Sequence, residues 1–360
     1  MAGRIKGTLI NCSIVFASIA FTLGTLEVIL RTDLGWTRQA AVYVQGPLAV
    51  PLKDALAQDE VPAEVIAKAE AHRTALTIPD EIKVRRVTTP GSTNSYYWQG
   101  ALHVHDENGF RRSAPFPPKR PSVKRVLIFG DSLTYGYGVA EEDTFAALLE
   151  RWHLGQVEFL NLGHTGFQSE DVLNAMKRFV PELAPDLVFY GVCLNDFLPS
   201  SVSQYEFLYS FPLPAAVKDW VIARSKVAAL TSDLYDATLR RLHIRRDFFT
   251  DILFDLEGYQ KRFAHDVANM NALIRAAGLP PLVAMVLDQY PNMQSFYPIS
   301  TMAEQHLREA GADIIGTDDY YHRYNGAQLH VAPWEGHPNE IAHFVWARMM
   351  DKHLRNRSLP

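Results

Sequence analysis

Cysteine is nearly absent from this chain. Its 360 residues include two, Cys12 and Cys193. Cys12 lies in an apolar N-terminal run, so the two do not read as a disulfide pair. The fold is therefore not built on cross-links, and cysteine usage leaves the compartment open. A strong charge of either sign is also missing. The net charge is −5 and no basic cluster dominates, which excludes the electrostatic footprint of a nucleic-acid binder. Internal repeats and low-complexity tracts are missing as well. His103 and His105 alternate as ligands on one strand face would, but a third ligand is lacking, so no metal site is expected.

One long apolar run is present, at the N-terminus. Arg4 and Lys6 precede Thr8–Leu30, Glu27 is its first acidic residue, and Arg31 closes it. Counted to Leu26, the uncharged part reaches the ~20 residues that cross a bilayer. Basic residues ahead of it favour a cytoplasmic tip with the rest of the chain outside. Residues 1–31 are therefore expected to be a cytoplasmic tip and transmembrane signal anchor. Ser18-Ile19-Ala20 also resembles a small-x-small cleavage site, which leaves a cleaved signal peptide as the alternative.

From Thr32 to about Gly91 the pattern is weak, broken by Pro51, Pro62 and Pro79. Ala55–Ala75 reads as a helical stretch. Tyr96-Tyr97-Trp98 and Leu102–His105 read as short strands before a turn at Glu107-Asn108-Gly109. Residues 32–121 are expected to be a spacer carrying these strands. After Pro121 short apolar runs alternate with helix-length segments. The runs are Arg125–Phe129, Val157–Leu160, Leu187–Tyr190, Leu282–Leu287 and Ala312–Ile315. The intervening helices fall near Thr144–Trp152, Glu170–Phe179, Leu256–Ala277 and Met302–Ala310, and Ile341–Leu354 closes the chain. That alternation predicts an α/β fold: a three-layer α/β/α domain over 122–360 with a parallel sheet, flavodoxin-like in style. A stretch at about 198–255 does not alternate. It holds aromatics (Tyr205, Phe207, Tyr209, Phe211) and arginines (Arg240, Arg241, Arg245, Arg246), and is expected to be a helical insertion.

In an open parallel sheet, ligands bind beyond the carboxyl ends of the strands. Gly130-Asp131-Ser132-Leu133 follows the first strand. Asn161-Leu162-Gly163-His164-Thr165-Gly166 follows the second, and Cys193-Leu194-Asn195-Asp196 the third. Trp334-Glu335-Gly336-His337-Pro338-Asn339 precedes the last helix. A hydroxyl, a glycine turn, an amide and an imidazole thus converge on one edge, as acyl transfer requires. Asp131 and Asp196 read as turn residues bonding backbone N–H groups, and Cys193 as a small packing residue.

These blocks resemble those of the SGNH, or GDSL, hydrolase family. Ser132 stands in the Gly-Asp-Ser-Leu block, Gly166 in Asn161-x-Gly163-x-x-Gly166, Asn195 before Asp196, and His337 in His337-Pro338-Asn339. All four come in family order, over about Lys124–Leu354 with the insertion unmatched. The upstream Asn108-Gly109-Phe110-Arg111 and the anchor also look like the membrane-anchored bacterial branch. The resemblance implies a serine nucleophile, Ser132, activated by His337 as base. It implies an oxyanion hole made by the backbone N–H of Ser132, that of Gly166 and the side chain of Asn195. The family's usual acid stands three residues before the histidine, where this chain has Trp334. Glu335 is the nearest substitute for orienting His337, with Asp318, Asp319 or a main-chain carbonyl as alternatives. A second departure is Cys193, where the family often has glycine.

The implied activity is a serine esterase cleaving a short acyl ester, an O-acetyl group above all, on an envelope glycan or lipid. O-acyl transfer to a glycan hydroxyl, fed by a membrane acyl-donor partner, uses the same residues. A non-catalytic glycan-binding protein is a third possibility, disfavoured by the intact Ser132, Asn195 and His337. No cofactor, metal or nucleotide is implied. The expected location is a single-pass membrane protein with its catalytic domain outside the cytoplasm.

Overall fold

The computed structural model describes residues 15, 17–29, 51–75, 85–86, 94–98, 100–112, 114–199, 258–287, 297–317, 323–324, 329–332 and 335–357, and ten scattered residues between 217 and 255. Two compact units are present: residues 1–46 with 205–250, and residues 47–204 with 251–360.

The second unit holds the parallel sheet. Its strands are β4 (Lys124–Gly130), β5 (Val157–Gly163), β6 (Leu187–Val192), β7 (Val283–Val286) and β8 (Asp313–Ile314), in the order β5-β4-β6-β7-β8. Every neighbouring pair is parallel. Counted along the chain this is the 2-1-3-4-5 order of flavodoxin-like sheets, whose crevice opens where the order reverses, between the first and third strands. Those strands here are β4 and β6. Leu127, Ile128, Phe129, Val188, Phe189 and Tyr190 are fully buried, as expected of strands covered on both faces.

The sheet's helices are α3 (Ser132–Tyr135), α4 (Phe145–Trp152), α5 (Ser169–Leu183), α6 (Tyr259–Ala276), α7 (Tyr297–Glu309) and α8 (Glu340–Asn356). Each forms for a local reason. The Thr144 hydroxyl caps α4 by accepting from Ala147 N. The Asn339 side chain caps α8 by accepting from Ile341 N and Ala342 N. At the start of α5 the Asp171 carboxylate accepts from Gln168 N at 3.1 Å.

The region expected as a spacer divides differently. From residue 47 onward it belongs to the unit that carries the sheet. Pro62 splits the expected Ala55–Ala75 helix into α1 (Leu52–Gln58) and α2 (Ala63–Ala75), since proline cannot continue the preceding helix. Ala55, Leu56, Val61 and Ala69 join the main apolar core alongside Trp346 and Phe145. His72 Nδ1 lies 2.8 Å from Glu340 Oε1 on α8, and Arg323 pairs with Asp59. The strands β1 (Arg85–Arg86), β2 (Asn94–Trp98) and β3 (Ala101–His105) form an antiparallel sheet in the order β1-β2-β3. Apolar content without long runs concealed this packing: alanines and one proline-bounded turn carry it.

In the first unit, residues 17–29 are helical. No helix among the described residues is long and apolar enough to cross a membrane. Residues 1–14, 16, 30 and 31 of the expected anchor lie outside the described residues, as does most of the expected insertion.

Candidate active site

Ser132 begins α3 immediately after β4. The Asp131 carboxylate caps this single turn by accepting from Leu133 N at 2.9 Å, as its sequence position suggests. Gly136 closes the turn in a left-handed conformation, φ 81°. The turn must lie against the sheet edge, and three glycines make that possible. Gly130, Gly163 and Gly191 end or nearly end β4, β5 and β6, and they are direct neighbours in register. Thr134 fills the space above them. A Cβ on Gly191 would meet Thr134 Oγ1 at 2.3 Å, and one on Gly163 would meet Tyr135 N at 2.4 Å. Asn161 fixes the same turn from β5: its Nδ2 donates to Thr134 O, and its Oδ1 accepts from Gly163 N, each at 2.9 Å.

His337 reaches Ser132 from a separate hairpin. It lies on β10 (Glu335–Pro338), which pairs antiparallel with β9 (His330–Ala332) ahead of α8. His337 Nε2 and Ser132 Oγ are 3.0 Å apart. The hydroxyl also lies 3.3 Å from Asp131 Oδ2, a longer and weaker contact. Both side chains are partly exposed, so the pair is accessible to a substrate.

The remaining expected residues come from adjacent strand ends. Gly166 follows β5 with φ 81°, and a Cβ there would meet nothing within 4 Å. Asn195 sits in a 3-10 turn, Leu194–Phe197, directly after β6. Its Oδ1 is buried with no hydrogen-bond partner among the described residues. The sheet order β5-β4-β6 therefore gathers the turns of Gly166, Ser132 and Asn195 along one edge. The Glu335 side chain, Trp334, Asp318 and Asp319 lie outside the described residues.

Beneath the site lies a buried acidic pair. Asp196 Oδ2 accepts from Tyr190 Oη at 2.7 Å and Cys193 N at 2.9 Å. Burial, then the charge of Asp131, holds Asp196 well above the ordinary carboxylate range. Burial likewise raises Asp131, opposed by its bond from Leu133 and by the neighbouring His337. Burial pushes the Cys193 thiol up too, so it stays protonated and does not compete as a nucleophile. Among the described residues no cluster of His, Cys, Asp and Glu could hold a metal ion.

The hairpin β2–β3 is the part of the site that sequence reasoning missed. His103 Nδ1 and His105 Nε2 lie 2.9 and 2.7 Å from Tyr135 Oη, at the end of α3. Arg111, from the Asn108-Gly109-Phe110-Arg111 block, is almost wholly buried. It donates to Leu102 O on β3 and to Gly136 O and Val139 O beyond α3. His103 and His105 share a strand face, as their alternation suggested, and both reach the same phenol. Gly109 of the same block closes against the loop of Gly166: a Cβ there would meet His164 Nε2 at 3.1 Å.

At the carboxyl edge of the parallel sheet of this α/β fold a serine hydroxyl and an imidazole stand in hydrogen-bond contact, an arrangement in which the imidazole can take the serine proton. No family profile matches the chain, and no curated protein does. Solved structures with similar folds include a lipase/acylhydrolase from Enterococcus faecalis, at 13% identity and TM-score 0.41, covering 65% of this chain and 97% of that one. A lipolytic protein of the G-D-S-L family from Veillonella parvula matches at 13% identity and TM-score 0.37, covering 64% and 97%. An acetyl xylan esterase from Geobacillus stearothermophilus, in a single-substitution variant, matches at 14% and 0.39, covering 66% and 96%. Overlaps this loose carry no inference about substrate.

Proposed function

We propose that this protein is a serine esterase that cleaves a short acyl group, an O-acetyl ester above all, from an envelope glycan or lipid. The observation that carries the reading is the 3.0 Å contact between Ser132 Oγ and His337 Nε2, within reach for proton transfer. In the first step Ser132 Oγ attacks the ester carbonyl carbon while His337 takes the hydroxyl proton. The N–H groups of Ser132 and Gly166 and the Asn195 amide are the oxyanion donors in this reading, each worth on the order of 10²–10³ in rate. The tetrahedral centre collapses, His337 returns the proton to the leaving alcohol oxygen, and an acyl-Ser132 ester remains. Water then attacks that ester with His337 again as base, releasing the carboxylic acid and restoring the hydroxyl. A sugar hydroxyl in place of that water would make the reaction an O-acyl transfer.

The N-terminal segment supports a membrane location in this reading, with the catalytic unit outside the cytoplasm. Val15, Ile19, Phe21, Leu23, Leu26 and Val28 are exposed, whereas a helix apolar all round normally sits in a protein core or a bilayer. The Thr22 and Thr25 hydroxyls donate back to Ser18 O and Phe21 O of their own helix, each at 2.9 Å. The acidic Glu27 accepts from Ser225 Oγ at 2.8 Å and Val227 N at 2.9 Å.

Labelling of the purified full-length chain with a fluorophosphonate tests the nucleophile. Wild type is expected to label, and Ser132→Ala and His337→Ala are expected to lose labelling while staying folded. Equal labelling of Ser132→Ala would sink the assignment. With an acetyl ester donor and an added sugar acceptor, formation of the acetylated sugar would mark transfer, and free acetate alone would mark hydrolysis.

A further inference from the structure

We infer that Tyr137 is a positioning residue for His337, and that the β2–β3 hairpin acts on the reaction by holding Tyr137 in place. The inference rests on the serine-hydrolase reading above. Its structural basis is the contact between the two rings, whose centroids are 4.6 Å apart at 56°. That is close packing for aromatic side chains. An imidazole delivers its Nε2 to a serine hydroxyl only in one rotamer, and a flat wall against the ring removes the others. Tyr137 is such a wall, supplied by the loop that directly follows the nucleophile turn.

The loop itself is fixed on three sides. Gly136 and Gly138, on either side of Tyr137, both take left-handed conformations, φ 81° and 96°, a backbone that side-chain-bearing residues avoid. Arg111 then clamps the loop ends through Gly136 O and Val139 O, while its third bond goes to Leu102 O on β3. On the other side, Val139 packs with Val331 and Ala332 in a small buried cluster. Val331 and Ala332 belong to β9, the strand paired with the one carrying His337. The loop thus touches the hairpin that bears the base, and Tyr137 touches the base itself.

Behind Tyr137 stands a stack of rings from β2 and β3. His103 lies 5.7 Å from Tyr137 and 5.4 Å from Tyr135, parallel to the latter within 2°. Tyr96 covers His103 at 5.1 Å and 7°. Tyr135 is held by both imidazoles of β3. Displacing the hairpin would therefore free Tyr137, and with it His337.

Tyr137→Ala, Tyr137→Leu and Tyr137→Phe in the full-length chain separate this role from simple packing. A base misplaced by an ångström costs up to about 10² in rate. Tyr137→Ala is expected to lower kcat on a short aryl ester, and the rate of fluorophosphonate labelling, by about 10- to 100-fold, with KM changed less than about threefold. Tyr137→Leu, which keeps bulk without a flat face, should fall similarly if the alanine variant folds poorly. Tyr137→Phe should restore both rates, because the ring and not the hydroxyl is the wall. In a crystal structure of Tyr137→Ala the Ser132 Oγ–His337 Nε2 contact should lengthen beyond hydrogen-bond range. Folded alanine and leucine variants with wild-type kcat and labelling would overturn the inference, and so would a raised KM at unchanged kcat. Absence of labelling in wild type would instead sink the serine-hydrolase reading; the crystallographic distance would still judge the role of Tyr137.

Discussion

Thr134 and Tyr135 are neighbours in α3, yet they meet opposite kinds of wall. Thr134 faces the sheet, where Gly130, Gly163 and Gly191 leave room for one small side chain. Tyr135 faces the β2–β3 hairpin, where two imidazoles meet its hydroxyl and Arg111 lies over its ring at 5.4 Å. The sheet side holds the Ser132 turn by excluding atoms. The hairpin side holds it by satisfying polar ones. Exclusion is intolerant of a single added methyl group, whereas a polar network fails when a partner is removed and its mates stay buried.

The largest effect is expected on the sheet side. Gly163→Ala places a Cβ 2.4 Å from Tyr135 N and 2.7 Å from Thr134 C, both backbone atoms that cannot swing away. The turn carrying Ser132 must lift. A loss of about 3 kcal/mol, the upper part of the usual overpacking range, should accompany a fall in esterase rate on the order of 10². Urea unfolding and kcat/KM measure the two. Gly316→Ala, where a Cβ meets nothing within 4 Å and the backbone, like that of Gly163, is not left-handed, is the control for adding a methyl group alone. Equal losses in both variants would mean that crowding against the turn is not what matters.

These two walls differ in how far the sequence disclosed them. Gly130 and Gly191 stood just past apolar runs, so the strand starts and the edge expected to hold Ser132, Gly166, Asn195 and His337 could be read directly, whereas β5 runs past its expected end at Leu160 to Gly163. What could not be read was that Gly130, Gly163 and Gly191 lie side by side, because register is a property of pairing and not of any one strand. The hairpin was legible as two strands and a turn. Its role was not: β2 is rich in aromatic residues and β3 in histidine, and nothing in either names Tyr135, about thirty residues on, as the partner. Two short helices before it escaped notice as core because alanine at Ala55 and Ala69 packs closely without leaving an apolar stripe. The group orienting His337 stays a proposal resting on Glu335, since the family's usual position is occupied by Trp334.

A smaller loss is expected on the hairpin side. Tyr135→Phe keeps the ring and its stacking, but removes the hydroxyl shared by His103 Nδ1 and His105 Nε2. Losing a buried partner costs about 1–3 kcal/mol, so about 2 kcal/mol of stability should go, with a fall in rate smaller than that of Gly163→Ala. If His103→Phe is then added, the second loss should be smaller than the same change made alone, because the two act through one network. Strict additivity in a double-mutant cycle would break the claim that the hairpin holds the turn as a unit.

His343 sharpens the comparison from a third position, where its ring packs against Phe145 and Trp346. It is fully buried on α8, its Nδ1 accepts from Phe145 N at 3.3 Å, and its Nε2 has no partner. Burial, then the positive charge of Arg111, lowers its pKa from 6.5 to about 3. The folded value lies below the unfolded one, so protons bind preferentially to the unfolded chain. The stability that depends on a neutral His343 is intact above about pH 6.5 and is lost as pH falls from there toward 3. Between pH 7 and 5 the loss amounts to about 2 kcal/mol. His343→Gln offers an uncharged acceptor to the same N–H and does not titrate. Urea unfolding at the two pH values should therefore show wild type losing about 2 kcal/mol more than the variant. Equal losses would mean that His343 stays neutral in the unfolded chain as well, or charges in the folded one despite its burial.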